Sequence, residues 1–181
     1  MAKANAAPAI TDPDNTLYLD LKDGRVVIEM YPAKAPNHVA RVKELTREGY
    51  YNGKLWHRVI AGFMAQTGSP RGDGMGGSDK PDLKAEFNDI HHARGIVSAA
   101  RSGNPDSANA QFFIMLADNG GLDGQYTAWG KVIDGMQYVD NIKKGDPYDN
   151  GAVTDPDKIV KMTVASDEAK AKPSKTAAKT K

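Results

Sequence analysis

The chain has 181 residues, 40% hydrophobic and 26% charged, which suits one soluble globular domain with a full core and some tail. It contains no cysteine, so disulfides, thiolate nucleophiles and cysteine-based zinc sites are excluded, and no apolar run approaches the roughly 20 residues of a membrane span. The net charge of +1 is uneven: from Ser166 onward five Lys against Asp167 and Glu168 give +3, leaving the rest at −2, which argues against nucleic acid as a partner of the folded part.

Residues 1–15 are Ala, Pro, Asp and Asn with little periodicity and read as a flexible lead-in. Met1 to Ala9 has no apolar h-region and does not read as an intact signal peptide. The expected compartment is the cytoplasm, or the periplasm if a leader has been removed. Leu17, Leu19 and Leu21 alternate with Tyr18 and Asp20. Beyond the Asp23-Gly24 hairpin signal Val26, Ile28 and Met30 alternate in turn, which predicts an antiparallel pair with one buried face. Pro36 suits a first helical turn; Val39, Val42 and Leu45 follow at helical spacing, with Arg41, Lys43, Glu44 and Arg47 outward and Gly49 as C-cap.

Residues 56–66 read as a strand, a Gly turn at Ala61-Gly62 and a second strand. Alternation puts Trp56, Arg58 and Ile60 on one face and His57 and Val59 on the other. After the turn, Met64 and Gln66 share a face, with Phe63 and Ala65 opposite. Residues 67–82 form a Gly/Ser/Pro/Asp loop. Its Gly72-Asp73-Gly74-Met75-Gly76-Gly77 matches G-x-G-x-x-G in letters only, because no strand precedes it and no helix follows. Leu83 to Asn88 is extended, Gly95 to Ala100 is a buried strand, and Gln111 to Leu116 carries the strongest strand signal. Asn119 to Gly124 turns sharply, and Ala128 to Val132 is a further strand. Met136, Val139 and Ile142 predict a second helix ending near Gly145, and Ile159 to Val164 a final strand. The Lys/Ala-rich tail, 166–181, reads as disordered. Seven or eight short strands with two separated helices make the fold class mainly β, an antiparallel sandwich or barrel plugged or capped by helices.

The four histidines, His38, His57, His91 and His92, show no metal-ligand spacing, and His91 and His92 read as solvated loop residues. No G-x-S-x-G elbow exists, and His57 lacks a convincing Ser partner. Phe112 and Phe113 face opposite ways in a strand, so one can be core while the other faces a cleft. Arg58 keeps its charge and demands partners, which Gln66 and Gln111 can supply as carbonyl oxygens. An Arg anchored by Gln beside a Phe/Met/Leu pocket suits a small apolar ligand carrying an amide, such as proline within a peptide.

At this point the chain resembles a known family. His57-Arg58-Val59-Ile60, Gly62-Phe63-Met64, Gln66, the Gly-rich loop, Gln111-Phe112-Phe113-Ile114, Leu122-Asp123-Gly124 and Gly130-Lys131-Val132 occur in the order and approximate spacing of a cyclophilin, over about Leu17 to Val164. The resemblance implies a closed eight-stranded antiparallel β-barrel capped by two α-helices. It also implies peptidyl-prolyl cis-trans isomerase activity that assists protein folding, with no metal and no cofactor. It implies a domain at 16–165 between the lead-in, 1–15, and the tail, 166–181.

Carried over by position, Arg58 matches the catalytic arginine, with His57, Gln66 and Phe63 beside it. Phe63, Met64, Phe113 and Leu122 match the proline pocket, with His57 lining its floor and Gln66 and Gln111 as the polar groups beside it. Ala100 and Arg101 stand where backbone pairs with bound peptide, and Gly76 and Gly77 at the edge of a neighbouring subsite. Tyr126 and Arg101 replace the His and Asn usual in eukaryotic members, which looks bacterial. Ala61 replaces a common Pro, Thr67 a Gly, and Gly121 an aromatic residue. The expected partners are proline-containing peptides and unfolded proteins, with weak cyclosporin binding, no nucleic acid, no membrane, and a monomeric state. Two alternatives stand beside the enzyme: a proline-peptide binding or chaperone module with little turnover, and polyanion binding through the tail.

Overall fold

The alternating leucines and their partner strand set the frame. In the computed structural model, which describes residues 8–171, Thr16–Leu21 (β1) pairs with Gly24–Met30 (β2) across a two-residue Lys22-Asp23 turn. Leu17, Leu19, Val26, Ile28 and Met30 all face inward. Gly24 belongs to the strand rather than the turn: a Cβ there would lie 2.5 Å from the Tyr138 ring.

Six further strands follow: Arg58–Ile60 (β3), Met64–Thr67 (β4), Ile96–Ala99 (β5), Phe112–Met115 (β6), Ala128–Asp134 (β7) and Lys161–Val164 (β8). They form one eight-stranded antiparallel sheet in the order β3-β4-β6-β5-β7-β2-β1-β8. The sheet curls toward a barrel, but β3 and β8 share no ladder, so the expected closure is looser than strand pairing. Irregular chain spans the seam instead. The Gly53 N–H donates to Ile159 O at 2.8 Å, Trp56 N–H to Asp157 O at 2.9 Å, and Val59 N–H to Gly151 O at 2.9 Å.

The interior is filled by Trp56, Trp129, Tyr51, Phe112, Ile28, Leu45, Ile114 and Ile159, all essentially without solvent contact. Helix α1 (Pro36–Arg47) lays Val39, Val42 and Leu45 on this core. Its N-cap, Ala35, has no side chain to satisfy the free N–H groups of the first turn. The Glu86 carboxylate supplies the acceptors from a distant loop, taking the N–H of Asn37 at 3.2 Å and of His38 at 2.8 Å. Arg41 is not outward as periodicity suggests. It is buried beneath the 77–86 segment, donating to Pro81 O at 2.7 Å and Asn109 O at 3.4 Å.

Helix α2 (Met136–Asp140) is shorter than expected. Gly145 is drawn to β3, where its N–H donates to Val59 O at 2.8 Å, and the chain must leave the helix to reach it. The tail also departs from expectation: Ala165–Ala171 is a helix (α3), tied to the body by Arg47 to Asp167 at 2.9 Å and Arg25 to Glu168 at 3.0 Å. The start of the lead-in, 1–7, and the end of the tail, 172–181, lie outside the described residues. Pro13–Asn15 forms a single 3-10 turn rather than unstructured chain.

Candidate active site

Strand register brings the site together. Arg58 lies opposite Gln66, Gln66 opposite Phe113, and Phe113 opposite Ser98. Cross-strand partners share a face, so Arg58, Gln66 and Phe113 form one row across three strands. That row lines a cleft of about 660 Å³ together with Phe63, Met64, Leu122 and Tyr126, His57, the 72–75 loop, and Asp149, Asn150, Ala152 and Val153. Ala100 and Arg101 complete the rim.

Ten of the thirteen residues singled out from sequence line this cleft. Gly76, Gly77 and Gln111 do not; they line an adjoining hollow of about 340 Å³ that shares Gln66, Gly74, Met75, Ala100 and Arg101 with it. The alternation expected over 56–66 also needs correction at two points. Trp56 is buried in the core with Val59, while the consecutive residues His57 and Arg58 both line the cleft. The cause is that 53–56 bonds to 157–159 across the seam, so the pleat begins only at Arg58. Phe63 lies with Met64 on the cleft side because it ends a turn, its N–H donating to Ile60 O at 3.0 Å, and β4 starts one residue later.

The guanidinium of Arg58 is held at three points. Nη1 donates to Gln66 Oε1 at 3.1 Å, Nε to Asn150 O at 3.0 Å, and Nη2 to Asn150 Oδ1 at 3.0 Å. Gln111 does not touch Arg58; it works through Gln66, whose Nε2 donates to Gln111 Oε1 at 3.0 Å. Gln111 Nε2 in turn donates to Gly74 O and Gly76 O, both at 3.0 Å, tying the glycine-rich loop to the same chain of bonds.

His57 is no base with a partner. Both ring nitrogens are buried without a hydrogen bond, and burial, with Arg58 next to it, pushes its pKa below the ordinary histidine range. It contributes a neutral, flat wall.

Phe113 meets Tyr126 edge-on at 5.6 Å and stacks on His92 at 6.3 Å. Arg101 covers the other face of that wall, 4.6 Å from the Tyr126 centroid, and donates to Gln125 O from Nε and Nη2. His92 is not solvated as its loop position suggests: it is buried behind the pocket. Its Nδ1 lies 2.9 Å from Asp123 Oδ1 and its Nε2 3.0 Å from Ser98 Oγ. A carboxylate only accepts, so Nδ1 carries the proton and Nε2 accepts from the serine. Asp123 also takes His91 Nδ1 at 2.6 Å, and these bonds pull its pKa down to about 2. His91 itself is exposed, as expected.

Sequence reading passed over Asn150, His92 and Asp123 as contributors to this geometry. The Asn150-Gly151 pair carries a turn signal, yet nothing local announces that its turn reaches a residue 92 positions earlier.

Comparison with known proteins agrees with the geometry. Residues 16–164 match the family described as "Cyclophilin type peptidyl-prolyl cis-trans isomerase/CLD", and the chain belongs to that family. A Brucella suis protein named "Probable peptidyl-prolyl cis-trans isomerase" is 54% identical over 167 residues, covering 86% of this chain and 85% of that one. The "Peptidyl-prolyl cis-trans isomerase B" of Bacillus subtilis is 39% identical over 133 residues, covering 72% and 92%. A Cryptosporidium parvum cyclophilin, solved in the presence of the dipeptide Ala-Pro, superposes with a TM-score of 0.75 at 26% identity, covering 82% of this chain and 98% of that one.

Proposed function

We propose that the 660 Å³ cleft is where this cyclophilin-type isomerase rotates X-Pro peptide bonds, with Arg58 as the central donor. The observation that carries the reading is a positive fork held by Gln66 and Asn150 beside an apolar recess of Phe63, Met64, Phe113 and Leu122. The recess takes the proline ring, and Ala100, Arg101 and Gly76 border the peptide on either side.

Amide resonance sets a rotation barrier of roughly 18–20 kcal/mol. No bond is broken, so the site needs only to favour the twisted amide over both planar forms. In that twisted state the proline nitrogen becomes pyramidal and basic. A hydrogen bond from Arg58 to it, or to the carbonyl oxygen as it swings, is stronger there than in the ground state. The recess holds the ring while the N-terminal side turns, and exclusion of water favours the less polar twisted form. Five decades of rate correspond to about 7 kcal/mol, of which one well-placed donor supplies about 3–4 kcal/mol.

A coupled-protease assay on an Ala-Pro-Phe peptide tests this. Arg58→Ala should lower kcat/KM by on the order of 100-fold with the fold intact; a loss below about threefold removes Arg58 from the mechanism. Undetectable turnover in the wild type, with retained peptide binding, would make the domain a proline-peptide binding module instead. The substrates we assign are proline-containing segments of unfolded chains. Gly121, exposed in the turn before Leu122, offers no aromatic wall there, and we assign weak cyclosporin binding on that ground; sub-micromolar inhibition would overturn it.

A further inference from the structure

Asn150 takes one whole edge of the Arg58 fork by itself. Its backbone O accepts from Nε and its Oδ1 from Nη2, each at 3.0 Å. A guanidinium carries five N–H donors. Two are engaged by Asn150 and one by Gln66, so two remain, one on each terminal nitrogen.

The loop around Asn150 is shaped for this. Asn150 has φ +52, in the left-handed region, and among the described non-glycine residues only Asp155 shares a positive φ. Side chains other than Asn, Asp and Gly rarely enter that region. Gly151 follows at φ +79, and a Cβ on it would meet Ile60 Cγ1 at 2.5 Å. A Cβ on Gly145 would collide with Gly151 O. The loop therefore lies flat on β3, pinned by Gly145 N–H to Val59 O at 2.8 Å and Val59 N–H to Gly151 O at 2.9 Å. Asp146 braces the turn from within, its Oδ1 accepting from Tyr148 N–H at 2.8 Å. Asn150 is itself exposed, so core packing does not explain its strained backbone.

We infer that Asn150 is a positioning residue for the isomerase reaction: it locks the Nε/Nη2 edge of Arg58 so that the two remaining N–H groups are presented to the substrate amide. The inference rests on the reading of Arg58 as the donor. An arginine tethered only through Gln66 keeps rotational freedom that the twisted amide must overcome on each turnover.

Two substitutions separate the contacts. Asn150→Gly deletes Oδ1 but keeps the positive φ and the backbone oxygen; Asn150→Asp restores the acceptor. Asn150→Gly is expected to lower kcat/KM roughly tenfold, in kcat more than KM, with an unchanged melting curve. Asn150→Asp should recover most of that loss. In an Arg58→Ala background, Asn150→Gly should cost nothing further. Activity of Asn150→Gly within about twofold of wild type, or the same loss in both backgrounds, overturns the inference. If Arg58→Ala is crippled while Asn150→Gly is not, this inference falls alone. If Arg58→Ala stays active, the reading beneath it falls as well.

Discussion

Phe112 and Phe113 are neighbours in one strand, and their rings live in different media. Phe112 meets Tyr51, Trp56 and Trp129 at 5.3, 6.3 and 5.7 Å and is buried in the core. Phe113 meets Tyr126 and His92, and one side of it opens to the cleft. On the core side, shape is kept chiefly by packing, with few side-chain hydrogen bonds such as Tyr51 O–H to Ala110 O at 2.8 Å. On the cleft side a substrate must enter, so packing is incomplete by design, and shape is kept by hydrogen bonds instead. These are Arg58 to Gln66, Gln66 to Gln111, Gln111 to the loop carbonyls, Arg101 to Gln125, and His92 between Asp123 and Ser98. Deleting apolar bulk should therefore injure stability on one side and turnover on the other.

The widest separation is expected from the two phenylalanines themselves. Phe112→Ala opens an enclosed cavity and should cost about 3–5 kcal/mol of stability in a urea titration. Phe113→Ala opens a void continuous with solvent, so its stability cost should be smaller by at least about 1 kcal/mol. Its kcat/KM should nevertheless fall by at least about tenfold, because the ring that holds proline is gone. Equal stability losses, with activity tracking the folded fraction in both variants, would dissolve the contrast.

The same division decides what was legible in the sequence. Strand alternation put Phe112 and Phe113 on opposite faces, and the requirement that a guanidinium be partnered pointed from Arg58 to Gln66 and Gln111, of which Gln66 makes the contact. Both are short-range rules, and both operate where the chain is regular. Trp56 escaped because its neighbours bond across the seam to 157–159, outside any pleat. Arg41 escaped because a loop some 40 residues later covers an otherwise outward helical position. His92 and Asn150 escaped for the same reason: each sits in a loop whose conformation is set by partners distant in sequence. Resemblance supplied the proline-pocket residues, but it could not supply the links that hold them.

A smaller effect tests those links on the cleft side. Gln111 is the joint between Gln66 and the glycine-rich loop. Gln111→Ala should leave Gln66 free at one end and lower kcat/KM by roughly three- to tenfold, with a stability loss of about 1 kcal/mol or less. Amide exchange at Gly74 to Gly76 should quicken in parallel. Activity loss without faster exchange would assign Gln111 to substrate contact rather than to bracing.

The smallest expected effect is one of pH, and it separates the buried polar network from the exposed one. Burial lowers the pKa of His38, His57 and His92, in each case as the leading cause. The unfolded chain binds protons at these residues below about 6.5, while the native state resists them. The unfolded state then holds more protons, so stability falls as pH drops from about 6.5 toward the native pKa values, by at most about 1.4 kcal/mol per pH unit for each histidine. His91 runs the other way. Asp123 raises its pKa, so its contribution is present below about 6.5 and fades as pH rises through the native value. It is exposed, and its opposing share is expected to be the lesser one. Urea titrations at pH 7.5 and 5.5 should show the wild type weaker at 5.5. In His92→Gln, one proton-resisting site is gone and the difference between the two pH values should shrink. An unchanged difference would mean that the ring behind Phe113 is as free to take a proton as one in water, and that the cleft floor is not held by a neutral imidazole.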